Sequence, residues 1–280
     1  MRILYNNYVL DGTYSATNEN PNYTVIDAFE DSRLSRYMRT TGTATAITFD
    51  LLSDKTVDYV GIVGHNLSPT ATIMLYGNSV NSFSSPPASF TVNHNTVISQ
   101  SINDSSIDNS NFFLLVDEYD NFIVDEFGNY IVGLIYTSTY RYWQLTISDA
   151  ANADGYLQIS KVYLGDYLQM SHMAKNQKIP TASTSTKTEN PTGQVYGDKG
   201  IVYKYGTVNL PFVTDDEKID IDEMFDAVDK IVPFLFLIWE NDLTFQPAIY
   251  SLLTSDLDWQ RVEGTTQRYW SVNLGFKETF

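Results

Sequence analysis

Four carboxylates stand in register in the stretch LVDEYDNFIVDEFGNYIV, residues 115–132. Read in eights, it is DEYDNFIV (117–124) followed by DEFGNYIV (125–132), with Asp117 and Glu118 matched by Asp125 and Glu126. Paired acids can bind a cation or cleave a sugar. A calcium loop places acidic or Asn ligands at alternate positions, then a Gly, then a bidentate Glu. Here the acids are adjacent, so on a strand they point to opposite faces. A glycosidase sets two carboxylates across a cleft at a defined separation, and a tandem repeat supplies no such asymmetry. A hydrolase acting on a wall or capsule polymer through Asp117, Asp125 or Glu126 therefore ranks last. The segments FLLV, NFIV and NYIV read as strands, and Asp120-Asn121 and Gly128-Asn129 are turn-type pairs. The stretch is predicted to be a hairpin insertion, duplicated in a loop where added length costs little stability.

Other candidate chemistry is sparse. His65, His94 and His172 are far apart, without the spacing of a zinc site. His65 ends an apolar run and reads as a structural residue. No GxSxG, P-loop, GxGxxG or HExxH motif is present. With no Cys there is no disulfide, thiolate ligand or Cys nucleophile. The expectation is a protein that is not an enzyme and has no catalytic residue, metal or cofactor. DSRLSRYMR places Arg33, Arg36 and Arg39 three apart. On a helix they would make a basic stripe, either a solvated or ion-paired surface or a contact patch for an acidic neighbouring subunit.

The elements around these residues are mostly strands. The chain is 43% hydrophobic and 14% aromatic, with 20 Tyr and 15 Phe, a composition that favours β structure. Residues 1–170 read as short strands: 46–51, a buried strand at 57–67, 71–79, 141–148 and 156–165. The Pro86-Pro87 stretch, 82–90, is a loop. In 141–148, Trp143, Leu145 and Ile147 share one face and Tyr142, Gln144, Thr146 and Ser148 the other. This rhythm predicts a sandwich or jelly roll. Residues 171–194 are polar and Ser/Thr-rich, a linker or an extended arm lying across a neighbour. Residues 195–280 are predicted to be a smaller β domain with one helix near 215–231. Thr214 and Glu217 form a capping box there, and Ile221, Met224, Phe225, Val228 and Val232 form one apolar face. Pro233 ends the pattern. Met224 and Phe225 join the three arginines as candidate subunit contacts.

Charge narrows the partners. The formal net charge is −17; residues 1–170 carry 18 acidic and 7 basic side chains, and residues 195–280 carry 15 and 7. Residues 171–194, with 1 acidic and 3 basic, are the basic stretch. Both folded parts repel phosphate, which argues against nucleic-acid binding. The apolar run IVPFLFLIW is far shorter than the roughly 20 residues of a membrane helix. The N-terminal MRILYNNYVLDG is broken by Asn6 and Asn7, unlike a signal peptide. A soluble protein without an export signal is expected.

Residues 43–79, TATAITFDLLSDKTVDYVGIVGHNLSPTATIMLYGNS, resemble the core of the galactose-binding-like (discoidin-type) β-sandwich, including its "VDYVGIVGHNL" strand. RYWQLTISDAANADGYLQISKVYLG, 141–165, resembles the later paired strands of that family. Together they are similar to versions in tail proteins of long-tailed bacteriophages, and 195–280 resembles the small hub domain of distal tail proteins. The resemblance implies a galactose-binding-like sandwich followed by a smaller β-sandwich domain with one helix. It further implies a structural virion protein at the tail tip, made in the host cytoplasm. Such a protein forms or joins a homo-oligomeric ring and contacts tube, hub and fibre proteins. An acidic lumen would let DNA slide past without sticking. The alternative is a carbohydrate-binding adhesin recognising a host glycan.

Overall fold

A computed structural model describes residues 1–30, 34–92, 130–170, 173–174, 177–189, 195–237, 249–262 and 268–279. The acidic repeat up to residue 129, Arg33, His94 and His172 lie outside the described residues. The described chain packs as two compact units: one drawn from 3–168, the other from 169–236 and 249–279 with residues 1–2. The architecture is mainly β, with antiparallel sheets.

In chain order the first elements are β1 (Arg2–Leu4), β2 (Thr13–Ala16), α1 (Val25–Phe29), β3 (Met38–Arg39), β4 (Ala44–His65), β5 (Thr72–Asn78), β6 (Ala88–Val92), β7 (Tyr130–Ser148), β8 (Gln158–Gly165) and β9 (Leu168–Gln169). The large unit is built on β4 and β7. Their first stretch pairs Ala44 with Ser148 through Asp50 with Tyr142; after register shifts, Tyr59 pairs with Leu134 through Val63 with Tyr130. At the first stretch β7 continues to β5 and β6. At the second, β4 pairs with β8, and β3 lies along β8. The sheet order is β3-β8-β4-β7-β5-β6, with β2 on β4.

A strand that shifts register at a bend can serve two layers of a sandwich. Ile47, Phe49, Ile73, Leu75, Trp143 and Leu145 from the first stretch share one buried cluster with Val60, Ile62, Ile159, Val162 and Leu164 from the second. The large unit is thus the two-layered β-sandwich that the resemblance implies. Each such side chain removed from water contributes about 1.5–3 kcal/mol.

Two expectations are corrected. Residues 46–51 and 57–67 are not separate strands, because the ladder to β7 resumes beyond the bend; Leu52 takes φ 65 there, its N–H held by Asp50 Oδ1 at 2.8 Å. Arg36 and Arg39 do not share a helix: Arg36 lies in an exposed non-helical stretch and Arg39 is on β3. Helix α1 was not foreseen, although Thr24 and Asp27 form the same kind of capping box as Thr214 and Glu217. It buries Val25, Ala28 and Phe29.

The small unit contains β10 (Thr181–Ser183), β11 (Thr186–Glu189), β12 (Val195–Asp198), β13 (Val202–Val213), α2 (Asp215–Val228), β14 (Phe234–Leu237), β15 (Ile249–Leu253), β16 (Gln260–Val262) and β17 (Tyr269–Glu278). Its sheet runs β10-β13-β17-β15-β14, with β16 on β17. Val272, Leu274 and Phe276 are buried, as their alternation predicts. The Thr214 hydroxyl accepts from Glu217 N–H and the Glu217 carboxylate accepts from Thr214 N–H at 2.9 Å. Helix α2 ends at Val228, short of Pro233, because Asp229 turns to φ 45 and gives its N–H to Phe225 O. Ile221, Met224 and Val228 face the interior. Met224 is fully buried in its own unit, which removes it as a subunit contact; Phe225 is half-buried.

The polar stretch 171–194 is attached to its own chain where it is described. Ala174 N–H donates to Asn209 O at 3.0 Å, and β10 pairs with residues 202–204 of β13. Strands β11 and β12 then form a two-stranded ribbon, and every residue of β11 is exposed.

Candidate functional site

The loops at one end of the large unit are fastened by side chains. Strand β4 ends at Gly64-His65-Asn66-Leu67. Gly64 has φ +65, and a Cβ there would come within 2.6 Å of Ser160 Oγ. The His65 imidazole accepts Leu67 N–H on Nδ1 at 3.1 Å. Asn66 reaches across to the turn before β8: its amide donates to Asp154 Oδ2 (2.8 Å) and Tyr156 O (3.0 Å), and its oxygen accepts Gln158 N–H (2.7 Å). Buried Asp149 accepts Ser68 N–H at 2.7 Å and Asn152 Nδ2 at 3.3 Å. The His-Asn-Leu run is therefore a clasp that places residues 152–158.

That clasp presents Tyr156 and Gln158 to Arg39. Thr40 fixes the other side, since its N–H donates to Leu157 O (3.0 Å) and its hydroxyl accepts Leu157 N–H (2.8 Å). Arg39 N–H donates to Tyr23 O at 3.0 Å, which brings in the loop before α1. The guanidinium carbon of Arg39 lies 4.6 Å from the Tyr156 ring centre, 4.9 Å from Tyr23 and 5.1 Å from Tyr37. Tyr23 and Tyr37 are stacked at 5.4 Å. Arg39 Nε donates to Gln158 Oε1 at 3.2 Å. Among the described residues no carboxylate pairs with Arg39. Tyrosine faces attract a cation without consuming its N–H donors, so Arg39 keeps donors beyond the one given to Gln158, beside a Tyr23 ring that is 37% exposed.

Arg141 on β7 is arranged differently. Its Nε and Nη2 bind Asp50 Oδ1 and Oδ2 at 2.7 and 2.8 Å, a bidentate pair. The hydrogen bond from Arg141 holds the Asp50 carboxyl below its usual range. A third polar group is also closed. The Tyr59 hydroxyl donates to Asn6 O at 2.7 Å and the Tyr8 hydroxyl to Asp166 Oδ1 at 2.8 Å. Burial, then the bond to Asp166, pushes the Tyr8 hydroxyl well above its ordinary value.

Of the predicted contacts, the structure places Arg39 in the tyrosine cluster and Arg36 on the exposed stretch before it; Met224 and Phe225 belong to the other unit. Tyr23, Tyr37, Tyr156 and Gln158 were not anticipated. The i, i+2 spacing of Tyr37 and Arg39 is the signal that could have paired two of them. Among the described residues no group of three His, Asp or Glu could hold a metal ion, and no helix is long and apolar enough to cross a membrane.

The site and sheet order define an antiparallel β-sandwich with an arginine–tyrosine cluster at one end. No family model matches the chain, and no curated protein matches it. Among solved structures it is similar to chitosan-binding module 1 from a chitosanase/glucanase of Paenibacillus sp. IK-5, at TM-score 0.36 and 14% identity, over 57% of this chain and 99% of the module. It is also similar to CpGH89CBM32-5 from Clostridium perfringens, in complex with GalNAc-β-1,3-galactose, at 0.36 and 9%, over 59% and 99%. A fucose binding module of Streptococcus pneumoniae gives 0.37 and 11%, over 57% and 95%. At these TM-scores the likenesses carry no argument about ligand or activity.

Proposed function

We propose that the large unit is a carbohydrate-binding module, with Arg39, Tyr23, Tyr37 and Tyr156 as its ligand seat. One observation carries this reading: Arg39 is surrounded by three tyrosine rings and pairs with no carboxylate among the described residues. Aromatic faces stack on the C–H face of a sugar ring, and guanidinium N–H groups donate to its hydroxyls. The role is recognition without catalysis. A glycan array followed by calorimetric titration of the best sugar tests it, with wild type beside Arg39→Gln. Wild type should bind, and the variant should lose at least about tenfold in affinity, the usual scale for a charged hydrogen bond. Equal binding by the variant, or no sugar bound by wild type, would sink the reading.

The second reading is a structural protein of a bacteriophage tail tip, resident in the virion, forming or joining a ring and touching other tail proteins. It is favoured by the exposed β11–β12 ribbon and by Phe212, Ile219 and Ile231 exposed on the small unit. An isolated two-stranded ribbon is marginal in water, and a neighbouring subunit would stabilise it. Light scattering on the purified chain should give the mass of a closed oligomer. A monomer that also ignores tail-tube protein would end this reading. The two roles are compatible, since a ring can display a sugar-binding module.

A further inference from the structure

The small unit holds an open groove of about 670 Å³ between the start of β13, the end of β17 and residues 177–180. Its polar lining includes Lys178, Lys277, Tyr203, Tyr205 and Thr254, and among the described residues none that lines it is acidic. That is unexpected in a chain with 34 acidic and 17 basic side chains, where a lysine readily meets a carboxylate. Lys178 and Lys277 are exposed, and neither forms an ion pair among the described residues. Strand alternation explains part of this. Lys277 points outward, while its neighbour Glu278 is buried and accepts Lys204 N–H at 2.7 Å.

The aromatic component is ordered. Tyr203 and Tyr205 share a face of β13 at i and i+2, with ring centres 6.1 Å apart. Lys277 Nζ sits 4.5 Å from the Tyr203 ring centre. Tyr205 remains 42% exposed, a free face for a ligand. Gly206, the next residue, also lines the groove. A Cβ there would lie 2.9 Å from Lys178 O and 3.2 Å from the Phe276 ring, so only glycine lets residue 178 lie this close.

The chemistry is that of an anion with an apolar face. An acidic peptide is disfavoured because β13 offers it no free edge here. Tyr205 and Gly206 pair with Lys277 and Phe276 on one side, and on the other Tyr205 N–H donates to Pro180 O. Strand addition needs an unpaired edge; a sugar is read by side chains. We propose that this groove binds a carboxylated sugar segment, its carboxylates on Lys178 and Lys277 and a ring face on Tyr205. This site is separate from the Arg39 cluster and does not rest on that reading.

The test is calorimetric titration of the full chain at low salt with trigalacturonate, neutral galactotriose and hexaglutamate. Trigalacturonate should bind, galactotriose at this site should not, and hexaglutamate should bind at least about tenfold more weakly. Lys178→Gln with Lys277→Gln should remove the binding, and added salt should weaken it. Tyr205→Ala, which leaves the charge unchanged, should cost about three- to tenfold. In the Arg39→Gln background the two lysine substitutions should still remove trigalacturonate binding. Circular dichroism of each variant guards against unfolding. Hexaglutamate binding as tightly as the sugar, trigalacturonate lost on Arg39→Gln, or no effect of the lysine and tyrosine substitutions would each overturn the proposal.

Discussion

Arg39 and Arg141 belong to the same large unit and meet opposite surroundings. Arg141 gives two donors to Asp50, and each partner satisfies the other. Arg39 has three tyrosine rings and one amide oxygen. A bidentate carboxylate exhausts a guanidinium's most directional donors, whereas ring faces leave them available. Arg141 therefore pins the bend of β4, where Asp50 also holds Leu52. An arginine's role follows from what satisfies it, not from its presence on a surface.

Substitutions test how far the two arginines differ. The largest effect should come from Trp143→Ala, two residues from Arg141. Trp143 is fully buried and packs with Phe90 and Tyr140. Removing it should cost about 3–5 kcal/mol in chemical denaturation, with the sugar affinity of the folded fraction unchanged. Next is Asn66→Ala, which frees Gln158 N–H and Tyr156 O. It should cost about 1–3 kcal/mol and, unlike Trp143→Ala, also weaken sugar binding, because Tyr156 and Gln158 lose their clasp. Full sugar affinity in that variant would show that the clasp does not position the seat.

The smallest effect belongs to the pair that looks strongest. Asp50 and Arg141 are both partly exposed, so solvent screens them. Asp50→Asn should lower Tm by no more than about 3 °C and leave sugar affinity alone. The pH dependence has a definite sign. The Asp50 carboxyl is lowered in the fold, so its contribution is present above the unfolded carboxylate value, near 3.9, and is lost as pH falls through the lower folded value. Acid titration of wild type and Asp50→Asn should converge at low pH. A gap that widens on acidification would reverse the assignment.

Some elements were legible because their signal is local. The alternation around Trp143, Leu145 and Ile147 reads directly as a half-buried strand, and Thr214 with Glu217 reads as a helix start. Thr24 with Asp27 carried the same message for α1 but opened only five residues, too few for an apolar period to show. The join of 46–51 to 57–67 was not legible, because a bend and a turn share the same polar residues; only pairing with β7 separates them. Of the candidate contacts, Met224 was already needed by its own core.

The seat was less legible than the fold. Tyr23, Tyr37, Arg39 and Tyr156 come from separate stretches, and no spacing rule links residue 156 to residue 39. Composition and short-range periodicity were enough for the β class, the helix caps, the acidic balance and the absence of cysteine chemistry. The tertiary structure alone decided which arginine is spent on a carboxylate and which is left among tyrosines, and that two lysines of an acidic chain share one groove. Those outcomes depend on partners brought together across the chain by strand register, where a shift of one residue turns a side chain to the other face.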